Sequence, residues 1–251
     1  QNYYKIMNNK EISIQLKNVS KSFKTYNKSY QTIKDRLLNL HKKNEVKNIL
    51  AVKSLNLEIY KGECIGVIGR NGSGKSTLTK VMSGAFLPDK GGKVMKNGTS
   101  LLLNLGVGFS HELTARENIY VNGSTLGLRI QQIDEIFNDV IEFAELEGFI
   151  DTKIKYFSSG MIQRLSFSIA IYAKADILFL DEVFAVGDEK FQKKATEVLE
   201  RNWLENRTAI IVSHSAFLVE KYCNRTILMH KGVLLYFGDT KKAMEKYRAL
   251  D

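Results

Sequence analysis

Residues 69–77 read Gly-Arg-Asn-Gly-Ser-Gly-Lys-Ser-Thr, directly after the apolar run Cys64-Ile65-Gly66-Val67-Ile68. No other stretch restricts the fold so tightly. Gly69, Gly72 and Gly74 let the backbone curl so that successive N–H groups point inward, and the residues that follow suit a helix. A buried strand, a curled loop and a helix N-terminus together make a cradle for phosphate oxygens, with the positive end of the helix facing them. The stretch Gly69, Arg70, Asn71, Gly72, Ser73, Gly74, Lys75, Ser76 satisfies G-x-x-x-x-G-K-[ST] at every position, and Thr77 follows. In such a loop Lys75 reaches the β- and γ-phosphates of a nucleotide, and Ser76 places its hydroxyl on Mg²⁺.

Two further apolar runs, Ile177-Leu178-Phe179-Leu180 and Ala209-Ile210-Ile211-Val212, have the length and composition of buried strands. Alternating with helical stretches, they predict an α/β sheet with substantial parallel character. Ile12-Ser13-Ile14-Gln15-Leu16 and Leu55-Asn56-Leu57-Glu58-Ile59 alternate apolar and polar residues, as half-buried antiparallel strands near one edge do. The first run ends in Asp181-Glu182. Asp181 is placed to hold Mg²⁺, directly or through water, and Glu182 to act as general base for the attacking water. His214 follows the other run, beyond a strand's C-terminal end, where an imidazole hydrogen-bonds a γ-phosphate or orients the water. His41, His111 and His230 have no such setting.

With 251 residues and 44% hydrophobic content, the chain has enough apolar material for one large domain. Its longest apolar runs fall far short of the roughly 18 to 20 residues that span a bilayer. No N-terminal stretch has the form of an export signal, so the chain is expected to stay in the cytoplasm. Cys64 and Cys223 sit in unrelated segments without a CxxC pair, which predicts ordinary core residues rather than a disulfide framework or metal site. The net charge of +10 suits either nucleic acid or the anionic face of a membrane, and charge alone does not choose. Residues 24–50 hold seven Lys/Arg against two acids. Within them Ile33, Leu37 and Leu40 make one face of a short amphipathic helix surrounded by Lys34, Arg36, Lys42 and Lys43. Such a helix lies on a membrane surface, docks on a partner or covers its own domain.

This combination resembles the nucleotide-binding subunit of ATP-binding cassette transporters over nearly the whole chain. The resemblance implies a P-loop ATPase core with a mixed sheet, an antiparallel β edge and a helical subdomain, at about 108–175, carrying the signature loop. Residues 1–251 would form a single ABC ATPase domain. In that family two ATPase subunits sandwich two nucleotides, the phosphate loop of one subunit meeting the signature loop of the other. The signature normally reads LSGGQ; here Phe157-Ser158-Ser159-Gly160-Met161 stands in its place. Ser158 can cap the following helix and turn its hydroxyl toward a phosphate, and Gly160 lets backbone approach closely. Met161 cannot make the hydrogen bonds of the usual glutamine.

FSSGM, DEVFAVGDEKFQKKA at 181–195 and LNLGVGFSHELTARENIY at 103–120 together resemble a narrower subgroup, the ATPase subunits of bacterial polysaccharide exporters. That subgroup moves O-antigen, capsular polysaccharide or teichoic acid. Ala115 stands where it often has glycine. By this resemblance Asp188 belongs to the loop that communicates between subunits, and Phe23 stacks on adenine, with Tyr26 as the second candidate. The usual glutamine that contacts Mg²⁺ and water is missing, and Asn104 occupies its neighbourhood. The expected cofactors are ATP and Mg²⁺. The expected partners are a second copy of the chain, two integral-membrane permease subunits and a lipid-linked glycan, at the cytoplasmic face of the inner membrane. The basic 24–50 segment would line the entry for that glycan, and the short stretch after His214 leaves no space for a C-terminal carbohydrate-binding domain.

A GTPase or small-molecule kinase is disfavoured because no N-K-x-D sequence is present. A DNA-repair or chromosome ATPase also pairs two cassettes, and the basic charge would then serve nucleic acid. Such proteins interrupt the cassette with long coiled coils or zinc modules, for which the stretch between Ser76 and Asp181 has no room. No nucleic-acid partner is therefore expected.

Overall fold

The computed structural model describes residues 11–26, 46–103, 108–181, 187–204, 207–213 and 215–250. In chain order the elements begin with β1 (Ile12–Tyr26), β2 (Val46–Tyr60), β3 (Cys64–Ile68), α1 (Lys75–Ser83), β4 (Lys93–Lys96) and β5 (Ser100–Leu103). Then come α2 (Ala115–Thr125), α3 (Ile130–Ala144), α4 (Ser159–Ala170), β6 (Ile177–Asp181) and α5 (Glu189–Val198). The last part of the chain forms β7 (Thr208–Val212), α6 (Ala216–Tyr222), β8 (Arg225–His230), β9 (Val233–Asp239) and α7 (Thr240–Arg248).

A three-stranded antiparallel sheet has the order β2-β1-β4, and a six-stranded sheet has the order β5-β6-β7-β3-β8-β9. The larger sheet is parallel throughout except for β9, which pairs antiparallel with β8. It is therefore mixed, as expected, and the antiparallel strands expected near an edge form a sheet of their own. Pairing of β1 with β2 continues through Lys24↔Asn48, Thr25↔Lys47 and Tyr26↔Val46. Both ends of the basic 24–50 segment are thus strand, which shortens the stretch open to the expected helix. The helix itself, with Ile33, Leu37 and Leu40, lies outside the described residues.

Alternation along the central strands divides the core into two layers. Ile177 and Phe179 of β6 and Ile210 and Val212 of β7 join α1's Leu78, Val81 and Met82 and the inner side of the small sheet. Leu178, Leu180 and Ile211 face the other way, onto α4, α5, α6 and α7. Strands covered on both faces read as unbroken apolar runs, which is why β6 and β7 were conspicuous in the sequence. A third cluster, with Ile119, Ile133, Val140 and Ile154, holds the helical subdomain together. Helix α4 belongs to two clusters: Leu165 and Ile169 enter the third, while Phe167 and Ala170 enter the layer against the sheet. It fixes the subdomain to the ATPase core. Among the described residues no helix is long and apolar enough to cross a membrane.

Cys64 and Cys223 are not the unrelated pair the sequence suggested. The β3 and α6 packing brings their Sγ atoms to 3.6 Å, with Cys223 buried and Cys64 half-buried. Both remain free thiols.

The Arg116-Glu117-Asn118 run knots the subdomain's entry loop. Thr114 and Glu117 form a reciprocal capping box at the start of α2. Arg116 Nε donates to Asp151 at 2.8 Å, and Ala115 is fully buried at this corner. The Asn118 side chain, fully buried, accepts from Ser110 N at 2.9 Å and donates to the carbonyls of Ser110, Leu113 and Thr114. Asn118→Ala strands these backbone groups without partners, and urea unfolding is expected to show a loss of about 1–3 kcal/mol.

Candidate functional site

The parallel strands β6, β7 and β3 end level with one another, because Asp181 pairs with Val212 and Val67 pairs with Val212. Three adjacent strand ends therefore lie together: Ile68, which feeds the Gly69–Gly74 loop, Asp181 of β6 and Val212 of β7. A cleft of about 430 Å³ opens there, lined by Ala51, residues 71–77, Asp181 and Val212. Asn71, Gly72, Ser73, Gly74, Lys75, Ser76, Thr77 and Asp181, all singled out by sequence, meet in this one cleft. Glu182, His214 and Asn104 lie outside the described residues.

The loop is held by its backbone. Gly74, at φ +104°, caps α1 from the left-handed region, and its carbonyl accepts from Leu78 N at 2.8 Å. A Cβ on Gly74 would overlap the Ala51 carbonyl, and one on Gly69 would overlap the Met229 carbonyl. Ser73 N donates to Arg70 O at 3.1 Å, closing the turn. Lys75, only 7% exposed, reaches back so that Nζ donates to Gly69 O at 2.8 Å and Arg70 O at 3.2 Å. Its charge is thus fixed inside the curl. Ser73 Oγ is buried without a hydrogen-bond partner among the described residues, a polar group that the loop's own fold leaves over. At the far end of α1, Lys96 Nζ donates to the Ser83 carbonyl and to Ser100 Oγ, matching a cation to the negative end of the helix. Burial lowers the pKa of Lys96 below the usual lysine value.

Two supports were not visible in sequence. The β8–β9 turn has positive φ at both Lys231 (48°) and Gly232 (80°), the geometry that joins twisted strands tightly. Gly232 N donates to Ser73 O at 2.9 Å, and Gly232 O accepts from Lys53 N at 2.8 Å, so the turn clamps the loop to β2. The signal was the Lys231-Gly232 pair between two apolar runs, which carries no chemistry alone. Ala51, the second support, has no distinguishing side chain.

Phe23 does not line the cleft. It pairs across the small sheet with Ile49, two residues from Ala51, and its ring meets Phe86 edge-on at 5.6 Å. Lys21 Nζ lies 5.7 Å from the Phe23 ring. Tyr26 is the last residue of β1.

The FSSGM segment and Asp188 lie apart from the cleft lining. Ser158 caps α4, its Oγ accepting from Met161 N at 3.2 Å. Ser159 is exposed, and Gly160 is so open that an added Cβ would meet only Ser158 Oγ, at 3.9 Å. Met161 is half-buried against the third cluster. Packing explains a thioether here where a glutamine's hydrogen bonds are absent. Asp188 caps α5, Oδ1 accepting from Phe191 N at 2.9 Å. Phe191 stands edge-on to Phe167 of α4 at 6.0 Å and to Phe143 of α3 at 5.5 Å. Glu145 accepts from Arg164 of α4 and from Lys190 of α5. The two loops are therefore coupled through one packed aromatic group and one shared carboxylate.

Residues 52–185 match the protein family described as ABC transporter. This chain belongs to that family. The ABC chain is 40% identical over 242 residues to a teichoic acids export ATP-binding protein, TagH, of Enterococcus faecalis, covering 96% of this chain and 53% of that protein. It thus spans about half the length of that relative. It is 36% identical over 238 residues to the O-antigen export system ATP-binding protein RfbB of Klebsiella pneumoniae, covering 94% of this chain and 97% of that one. A solved structure of an ATP binding subunit of an ABC transporter superposes with a TM-score of 0.70 at 19% identity, over 94% of this chain and 93% of that chain. The P-loop α/β fold agrees.

Gly74→Ala forces a methyl group into the Ala51 carbonyl at a backbone angle that L-residues avoid. Nucleotide titration is expected to show affinity reduced by at least about tenfold, the effect of roughly 1.4 kcal/mol of strain at the loop.

Proposed function

We propose that this chain is the ATP-hydrolysing subunit of an exporter that moves a lipid-linked polysaccharide, of the O-antigen, capsule or teichoic acid kind, across the bacterial inner membrane. The observation that carries this reading is one cleft that joins the glycine-curled loop, Lys75 and Asp181, in a chain related over most of its length to export ATP-binding proteins. No relative named above speaks for a nucleic-acid ATPase.

In this reading the N–H groups at the start of α1, at Lys75, Ser76 and Thr77, and the fixed charge of Lys75 bind the nucleotide phosphates. Ser76 and Asp181 offer the oxygen donors that suit Mg²⁺, which supplies charge neutralisation at the phosphates when bound with the nucleotide. Glu182 follows Asp181 directly and accepts the proton from the attacking water. His214, the next residue after Ser213 in the sequence, holds the geometry of that water. Phe23, on the small sheet outside the cleft lining, stacks on the adenine beyond the phosphates.

Ser158, Ser159, Gly160 and Met161 serve the nucleotide of a second copy of the chain. Support for this comes from Gly160: among the described residues nothing requires a glycine there, because a Cβ would meet only Ser158 Oγ, at ordinary contact distance. The need for a small residue then arises from an approaching partner. Asp188 and the aromatic group below it relay the position of the signature helix to the neighbourhood of Glu182. Two membrane permease subunits receive the motion, the chain itself sitting peripherally at the cytoplasmic face. The basic 24–50 segment attracts the anionic glycolipid at its entry.

Glu182→Gln is expected to bind ATP and dimerise while hydrolysing about 10²–10⁴-fold more slowly, the usual contribution of a positioned base. Turnover near that of the unmodified protein would remove Glu182 from this role. Gly160→Ala separates folding from function: the helix is expected to gain up to about 1 kcal/mol in thermal or urea unfolding. ATP hydrolysis should fall together with dimerisation. Co-purification with a polytopic permease, and stimulation by a lipid-linked glycan, test the export assignment.

A further inference from the structure

A second cleft, about 400 Å³, lies at the opposite ends of the same strands. Its lining comes from the residues that precede β3 (Lys61, Gly62), β5 (Thr99), β6 (Lys174, Asp176) and β7 (Arg207), together with Ser13 of β1. At about the size of the nucleotide cleft, it is equally polar in character and remote from the phosphate loop.

Three features point to an anion. The lining brings Lys61, Lys174 and Arg207 together with one carboxylate, Asp176. That carboxylate is already engaged: Thr99 donates to Asp176 Oδ2 from its backbone N at 2.7 Å and from its hydroxyl at 2.8 Å. These bonds from Thr99, with lesser contributions from Lys61 and Arg207, lower the pKa of Asp176 below the usual carboxylate value. Lys61 is paired with exposed Glu11, and Arg207 Nη1 donates to Ala173 O at 3.3 Å, leaving its other guanidinium donors to the cleft. Lys174 makes no ion pair among the described residues. The decisive feature is Ser13. Its side chain is buried, 1% exposed, yet Oγ has no hydrogen-bond partner among the described residues. A buried hydroxyl without a partner costs stability, so a polar ligand that completes it is the economical explanation.

We propose that this cleft is a binding site for a phosphate group, free or carried on a small organic molecule, separate from the nucleotide site. Arg207 grips it with a planar fork, Lys174 and Lys61 supply point charge, and Ser13 gives the hydroxyl hydrogen bond. Thr99, Lys174 and Ala175 are shared with an adjoining hollow of about 330 Å³, lined in part by Leu101, Leu126 and Leu128. That hollow suits the organic portion of a phosphate ester.

The test is calorimetric titration of the whole chain, kept saturated with a non-hydrolysable ATP analogue so that the γ-phosphate position is also filled, using inorganic phosphate in one arm and glycerol 3-phosphate in the other. One site per chain is expected, with Arg207→Gln and Lys174→Gln each weakening it about tenfold, as loss of a charge-assisted hydrogen bond does. Tighter binding of the ester identifies an organic phosphate as the ligand, and equal binding identifies free phosphate. Ser13→Ala is expected to weaken binding while keeping or raising the thermal midpoint, because it removes an unpaired hydroxyl from the unliganded protein. Arg207→Gln also loses its bond to Ala173, so the exposed Lys174→Gln variant decides the matter if the former fails to fold. Absence of binding with the analogue present, or binding unchanged by Lys174→Gln and Ser13→Ala, overturns the proposal.

Discussion

The site depends on the closure of a short backbone curl onto two neighbouring backbones. Gly69 and Gly74 lie so near the carbonyls of Met229 and Ala51 that no side chain fits, and Gly232 N holds the Ser73 carbonyl from the turn between β8 and β9. Lys75 closes the curl from within by donating to Gly69 O. These contacts use almost no side-chain chemistry. Their effect is to hold the curl in one conformation before any ligand arrives, which lowers the conformational entropy lost on binding.

The second constraint is mechanical. Helix α4 carries the FSSGM cap at its start and packs into two clusters along its length, so the subdomain cannot turn without disturbing the layer against the central sheet. Phe143, Phe167 and Phe191 meet at the junction of α3, α4 and α5, and Glu145 bridges Arg164 and Lys190 beside it. Close-packed interiors transmit strain rather than absorb it. The Ser158 cap of α4 and the Asp188 cap of α5 therefore stand on helices held by the same packed group.

Both ends of the parallel strands bear a polar cleft, and their construction differs. At the C-terminal ends the lining residues are those of a glycine-rich loop and a helix N-terminus, with Ala51, Asp181 and Val212. At the N-terminal ends the donors are the side chains of Lys61, Lys174, Arg207 and Ser13. The first kind of site announces itself as a contiguous glycine-rich string. The second is spread over residues from 13 to 208 and leaves no local pattern.

The same difference decides how much was legible beforehand. The phosphate loop, the β6 and β7 runs ending at Asp181 and Val212, and the Ser158 cap were readable because each is a local device, set by spacing, periodicity and backbone freedom along a few residues. The separate antiparallel sheet, the Gly232 clamp, the contact of Cys64 with Cys223, the packing role of Met161 and the placing of Phe23 against Phe86 were not, because each depends on chain segments distant in sequence. Sequence alone determined the course of the glycine-rich loop and the α/β class, since local backbone physics dictates both. Only the tertiary structure decided which backbones brace that cleft and which hydroxyl is left unpaired across the sheet, because strand order sets those contacts.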